Sequence, residues 1–183
     1  MASGFNLYPH QRIGVGWLQS LFHDSNARGG LLADDMGLGK TIQLLALLAH
    51  EREEAKQHAA AGESDPRLTQ VLPTLLVVPM SVVGNWIKEV ERFTPSIRVI
   101  LHHGVDRAQG DEFVEKVSES DVIITTYALA NRDQELIERV RWGRIVLDEA
   151  QFVKNPAAKQ SQAVRSFTVE RRIALTGTPV ENR

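Results

Sequence analysis

The sequence predicts an α/β fold, a doubly wound parallel sheet with helices on both faces, and three observations predict it. Short apolar runs, several of them near-continuous Val, Ile and Leu, alternate with longer segments of helical period. That is the pattern of strands buried on both faces and joined by crossover helices. A glycine-bearing loop at 34–41 directly follows one such run and opens a helix, and an acidic pair, Asp148-Glu149, directly follows another. Ligand-binding groups of open α/β sheets sit in just these places, beyond the carboxyl ends of strands.

In chain order, strands are expected at 30–33, 74–78, 97–101, 122–125, 145–147 and 173–175. A helix begins at Pro9, a residue suited to a first helical turn, and runs to about Phe22 with Ile13, Trp17 and Leu21 on one face. A second follows Thr41. It is apolar all round through Ile42, Leu44, Leu45, Leu47 and Leu48, and polar from Glu51, so it is expected to project outward and to stop at Gly62. The charged run 51–56 reads as an exposed face, and 62–72 as an exposed loop. A third helix, at 81–93, carries Val82, Trp86, Val90 and Phe93 on its apolar stripe, and Trp17 and Trp86 are assigned to core packing.

The 183 residues fit one domain at roughly 150 residues per domain. With 43% hydrophobic and 24% charged residues the chain is globular in composition, not disordered. No apolar run approaches the ~20 residues of a membrane span, and no signal-peptide stretch opens the chain, which argues against a membrane or secreted protein. There is no cysteine, so disulfides, zinc ribbons and thiol nucleophiles are excluded. His102 and His103 have no third metal ligand nearby in the sequence. The net charge of −2, from 21 Lys and Arg against 23 Asp and Glu, is not that of a basic duplex-binding module, so any grip on nucleic acid must come from a local patch.

The loop at 34–41 has the chemistry of a phosphate cradle. Successive backbone N–H groups and the positive end of a helix dipole would face a phosphate chain, with Gly37 and Gly39 letting the backbone approach. Lys40 would reach the terminal phosphates, and the Thr41 hydroxyl would ligate Mg²⁺. The pattern departs from the usual phosphate loop at its first position, where Asp34 stands for glycine. Two carboxylates beside a triphosphate repel it unless they turn away or help to hold the metal. Asp148 would hold Mg²⁺ through its water shell and Glu149 would orient and deprotonate the attacking water. Taken alone, the acidic pair reads more readily as an N-cap to the next helix; found together with the Lys40-Thr41 loop, it reads as part of one site.

Together these stretches resemble the SWI/SNF-type ATPases of helicase superfamily two. Residues 34–41, 148–151 and Leu175-Thr176-Gly177-Thr178-Pro179 look like motifs I, II and III. Leu7-Tyr8-Pro9-His10-Gln11 resembles the N-terminal glutamine motif, Val78-Pro79-Met80-Ser81 with Asn85-Trp86 motif Ia, and Thr125-Thr126-Tyr127 motif Ib. His103-Gly104 with Arg107 resembles a family loop. The likeness runs from Leu7 to Asn182, and an acidic residue at the first position of motif I is characteristic of the family. The segments at 148–151, 154–156 and 160–165 look most like prokaryotic members.

The resemblance implies a RecA-like, phosphate-loop ATP-binding lobe that uses ATP and Mg²⁺. Gln11 would read adenine; Met36, Gly37, Leu38, Gly39, Lys40 and Thr41 would hold the nucleotide; Thr41 and Asp148 the metal; Lys40 and Glu149 would be catalytic. Ser81, Gly104, Arg107 and Thr126 would lie along a DNA backbone, although each is singly a common turn or cap residue. Thr176, Thr178 and Gln151 would couple the nucleotide site to the DNA side. Many family members have histidine at the position of Gln151, and either side chain can bridge motifs II and III. The implied parent is a double-stranded-DNA-dependent translocase that shifts DNA-bound proteins, with a cytoplasmic, nucleoid-associated location. The chain would be its first lobe, 1–183, with a tag or flexible start at 1–6. Without the second lobe, it would bind Mg-ATP weakly and hydrolyse it poorly. A superfamily-two helicase lobe, a catalytically silent ATP-binding scaffold and a small-molecule kinase are the alternatives.

Overall fold

The computed structural model describes residues 6–23, 27–35 and 37–177. Its centre is a six-stranded, all-parallel sheet of β1 (Gly29–Leu32), β2 (Thr74–Val78), β3 (Val99–Leu101), β4 (Val122–Thr126), β5 (Trp142–Leu147) and β6 (Val169–Leu175), in the order β1-β6-β5-β2-β4-β3. Side chains alternate across the sheet. Leu76 and Val78 of β2 enter one core with Ile124, Val146 and Ile173, beneath α2 (Lys40–Ala60) and α4 (Val83–Phe93). Leu75 and Val77 enter the other, with Ile123 and Ile145, against α5 (Gly110–Ser118), α6 (Tyr127–Arg132), α7 (Gln134–Glu138) and α8 (Lys159–Ser166). The predicted α/β class and its two-faced cover are what the chain adopts.

Helix α1 (Pro9–His23) corrects the expected apolar face. Its buried side is Gln11, Val15 and Leu18, whereas Ile13 is 74% exposed and Trp17, assigned to the core, is 39% exposed. The true stripe includes a glutamine and a glycine, and of the three residues expected on it Leu21 packs against the core while Ile13 faces outward. Gly14 is there for close approach: a Cβ on it would lie 1.8 Å from Oε1 of Gln43 in α2. Trp17 instead lays its ring over Gly30 of β1, where a Cβ would be 2.6 Å from the ring.

Helix α2 is buried all round from Gln43 to Leu48, as its uniform apolarity predicts, and it ends where Gly62 takes a left-handed φ of 83°. Its charged run is the exposed face expected at Glu53, Glu54 and Lys56 but not at Glu51 and Arg52. Arg52 pairs with Asp121 and donates to the carbonyl of Ser96, and Glu51 pairs with Arg144, whose side chain is 6% exposed. The loop expected over 62–72 contains one helical turn, α3 (Pro66–Thr69), begun by Asp65, whose carboxylate accepts from the backbone N–H of Arg67. Strand β3 is shorter than expected, while β5 and β6 begin earlier. The first half of β6 carries charge because its side chains are used: Arg172 donates to the carbonyls of Val164, Arg165 and Phe167 at the end of α8.

The Glu51–Arg144 pair is the strongest test of this packing, since a buried guanidinium loses much more than an exposed one when its carboxylate is removed. Glu51→Ala is expected to lower stability by about 3 kcal/mol in urea unfolding. Glu53→Ala, on the exposed side of the same helix, is expected to change it by no more than about 0.5 kcal/mol.

Candidate functional site

Strand order sorts the loops at the carboxyl edge of the sheet. The ends of β1, β6 and β5 are neighbours, so the loop at 33–39, Thr176 and Asp148-Glu149 lie side by side. The ends of β2, β4 and β3 continue the same edge with Ser81, Thr126 and the turn at 102–107.

In the first of these groups, Gly37 and Gly39 both take left-handed φ, 87° and 85°, and α2 starts at Lys40 immediately after them. A Cβ on Gly39 would meet Nε2 of Gln11 at 2.5 Å, so glycine is required there by conformation and by space alike. The Lys40 ammonium folds back on the loop, donating to the carbonyls of Asp34 at 2.7 Å and Asp35 at 3.1 Å. The Asp34 carboxylate does turn away, accepting from Nε2 of the fully buried Gln43 at 2.7 Å. Gln11 is 6% exposed; its amide donates to the carbonyl of Leu38 at 3.2 Å and accepts from the backbone N–H of Tyr8 at 3.0 Å. It therefore braces the loop against α1, a role that the sequence reading, which had it facing a base, did not include. Met36 and Thr178 lie outside the described residues.

Asp148 and Glu149 follow β5. Glu149 has φ 49°, the one left-handed non-glycine among the described residues, and the turn it makes ends the strand abruptly at the sheet edge. The two Asp148 oxygens are both held: Oδ1 by the backbone N–H of Glu149 at 2.9 Å and Oδ2 by the indole N–H of Trp86 at 2.7 Å. Burial pushes the Asp148 carboxyl above the usual carboxylate range, with the Glu149 charge adding to the rise; the Trp86 and Glu149 N–H donors and the Lys40 charge oppose it. The Glu149 carboxylate accepts from Nε2 of Gln151, and Oε1 of Gln151 accepts from the Thr176 hydroxyl at 3.0 Å. Glutamine, with a donor at one end and an acceptor at the other, makes both bonds at once. A glycine-bearing loop with one ammonium, at a helix N-terminus and beside an oriented carboxylate pair, has the elements needed to hold a polyphosphate and a hard divalent cation.

Of the residues expected along a DNA backbone, Ser81 is exposed in a short 3₁₀ turn, Met80–Val82, and Gly104 is exposed at φ 88°. The other two are spent internally. Arg107 has a side chain only 9% exposed and makes a two-pronged pair with Asp133 at 2.7 and 2.9 Å, besides donating to the carbonyl of Gly104. Thr126 is 5% exposed and caps α6, accepting from the backbone N–H of Leu129. Each braces the turn it belongs to, the common reading of such residues singly. Asp133 also takes Nε2 of His102, which is 1% exposed and stands edge-on to Phe113. Sequence reasoning missed Trp86 and Tyr127 as neighbours of Asp148. Both carried the signal of aromatic residues that own a polar hydrogen and, once buried, need an acceptor.

A family model described as the SNF2-related domain matches residues 10–183. The chain belongs to the SNF2-related domain family. This SNF2-related chain is 42% identical over 177 residues to YwqA of Bacillus subtilis, covering 97% of itself and 18% of YwqA. It is 38% identical over 179 residues to Helicase SWR1 of Saccharomyces cerevisiae, covering 97% of itself and 11% of that protein. The Sulfolobus solfataricus SWI2/SNF2 ATPase core in complex with dsDNA matches with TM-score 0.74 and 37% identity, over 98% of this chain and 33% of that one. The SNF2-related chain thus spans less than a fifth of the length of either curated relative. Among the described residues no helix is long and apolar enough to cross a membrane.

The His102–Asp133–Arg107 cluster makes stability depend on pH. Burial holds the His102 pKa below its ordinary 6.5, with the Arg107 and His103 charges acting the same way and Asp133 opposing. The unfolded chain therefore takes up this proton first, so the contribution is complete above about pH 6.5 and is lost as pH falls from there toward the folded value. Urea titrations are expected to show stability falling below pH 6.5 by up to about 1.4 kcal/mol per pH unit, and His102→Gln to flatten that slope.

Proposed function

We propose that the chain is the first RecA-like lobe, 1–183, of a double-stranded-DNA-dependent ATPase that translocates on duplex and displaces proteins bound to it. The observation that supports this most is the hydrogen-bonded line Glu149–Gln151–Thr176, which joins the ends of β5 and β6 beside the loop that carries Lys40. A module that only bound nucleotide would need the loop but not a carboxylate oriented by a relay.

The residues fit ATP with Mg²⁺. The Lys40 ammonium rests on two backbone carbonyls, neutral acceptors that phosphate oxygens outcompete by charge. In this reading Gly37, Leu38, Gly39 and Lys40, with Met36, cradle the phosphates, and Thr41 and Asp148 hold the metal. Mg²⁺ would neutralise charge on the terminal phosphates and order the attacking water. Glu149 accepts a proton from that water, and Gln151, bonded to both Glu149 and Thr176, fixes the direction in which its carboxylate faces. Gln11 senses the nucleotide through the loop it braces and reaches the base only by giving up its bond to Leu38. On the other half of the edge, Ser81 and Gly104 are the groups placed to meet a sugar–phosphate backbone, and contacts of this kind position a duplex without reading its sequence. The solved dsDNA complex of the Sulfolobus SWI2/SNF2 ATPase core, which this chain resembles over nearly all its length, supports duplex as the partner.

The test is the ATPase rate of the full two-lobe enzyme alone, with single-stranded DNA and with duplex, beside Lys40→Ala. Duplex is expected to stimulate most, and Lys40→Ala to lower the stimulated rate by about 10²-fold or more. Preference for single strands would make the protein a helicase. A flat, low rate under all three conditions would overturn the assignment as an ATPase.

A further inference from the structure

Asp148 is the last residue of the nucleotide half of the sheet edge, and it is gripped by two residues from the other half. Trp86, on the helix that follows β2, donates its indole N–H to Oδ2 at 2.7 Å. Tyr127, the first residue of the helix that follows β4, donates its phenol O–H to the Asp148 backbone carbonyl at 2.7 Å. Both donors are buried, each 3% exposed, so water does not replace them readily if they are lost. Between them they hold Asp148 at its side chain and at its main chain, while Oδ1 is held by the N–H of Glu149. A carboxylate accepts about four hydrogen bonds, so three-point fixing leaves capacity for a metal-bound water while removing rotation of the group.

We propose that Trp86 and Tyr127 are positioning residues for Asp148, which makes the metal-holding geometry at the end of β5 depend on how α4 and α6 are seated. The two helices begin at the exposed turn that carries Ser81 and at the buried 126–127 corner, so a displacement at either place reaches Asp148 through one hydrogen bond. The inference rests on the reading of Asp148 as a Mg²⁺-holding residue. It differs from mere core packing because Trp142 supplies the counter-example: equally buried at 1% exposed, it donates its indole N–H to the carbonyl of Ile137 at 2.9 Å, away from the site.

The experiment compares the affinity of this chain for a mant-labelled ATP, read by probe anisotropy, in excess Mg²⁺ and in EDTA; the ratio of the two is the Mg²⁺-dependent gain. Tyr127→Phe keeps the ring and removes only the donor; Trp86→Phe also shortens the indole to a phenyl, a loss that Trp142→Phe shares and so controls for, and urea midpoints are recorded for every variant. Each is expected to reduce the gain by roughly threefold to tenfold while leaving the affinity in EDTA unchanged. Trp142→Phe is expected to lower the urea midpoint and leave the gain intact. An unchanged gain in Trp86→Phe or in Tyr127→Phe overturns that residue's part of the proposal, and an equal fall in Trp142→Phe overturns both parts. Absence of any gain in the unsubstituted chain would overturn the functional reading itself and this inference with it, an outcome distinct from a wild-type gain that the variants fail to alter.

Discussion

A parallel strand delivers its carboxyl end, and the loop that follows, to one edge of its sheet, so the order of the strands decides which loops can touch. Here the order β1-β6-β5-β2-β4-β3 places residues 34, 176 and 148 next to one another although they are far apart in the chain. The chemistry depends on this adjacency more than on any single side chain. The Thr176–Gln151–Glu149 line exists because β6 lies between β1 and β5, and the Trp86 and Tyr127 bonds exist because β2 and β4 lie just beyond β5. Nearly continuous apolar side chains in β2 and β4 help make that order stable, since these two strands are buried on both faces and have no solvated side to turn outward.

Charge at the nucleotide end is managed by pairing rather than by excess of one sign. Asp34 and Asp35 stand beside the loop proposed to hold phosphates, yet the Asp34 carboxylate is withdrawn to Gln43 and the main-chain carbonyls of both are covered by the Lys40 ammonium. Asp148 is partly desolvated, which raises its pKa, and the N–H donors around it oppose that rise. A carboxylate left in that position without Trp86 would lose one of the donors that favour its charged form. The cost of the acidic residue at position 34 is offset by a buried amide whose own partner face is a glycine, Gly14, with no room for a side chain.

The α/β class, five of the six strands to within a few residues, the phosphate-type loop and the acidic pair were legible in the sequence because each depends on a local signal: uninterrupted apolar runs, or chemistry clustered within eight residues. What was not legible depends on contacts between distant segments. The buried face of α1 is chosen by Gln11 and Gly14, which pattern arguments score as polar or neutral, because Gln11 must reach Leu38 and Gly14 must clear Gln43. The charged half of α2 looked solvated because nothing local reveals that Arg144, 93 residues on, lies buried against Glu51. The four helices on the second face, α5 to α8, are short, and their periodicity spans too few turns to stand out.

The residues expected to meet a duplex separate into two kinds, and the separation has a physical consequence. Arg107 and Thr126 fix their own turns, while Gly104 is exposed in the first of these and Ser81 in the separate turn Met80–Val82. In the proposed reading, contacts to a duplex here would come from a hydroxyl and main chain rather than from Arg107, which is already paired with Asp133. Affinity through such donors releases fewer counterions than affinity through arginine and lysine, so it falls less steeply with salt. It also agrees with a net charge of −2, which supplies little long-range attraction. In the proposed reading, a lobe of this design would hold register on a duplex through rigid donors rather than draw the duplex in by charge.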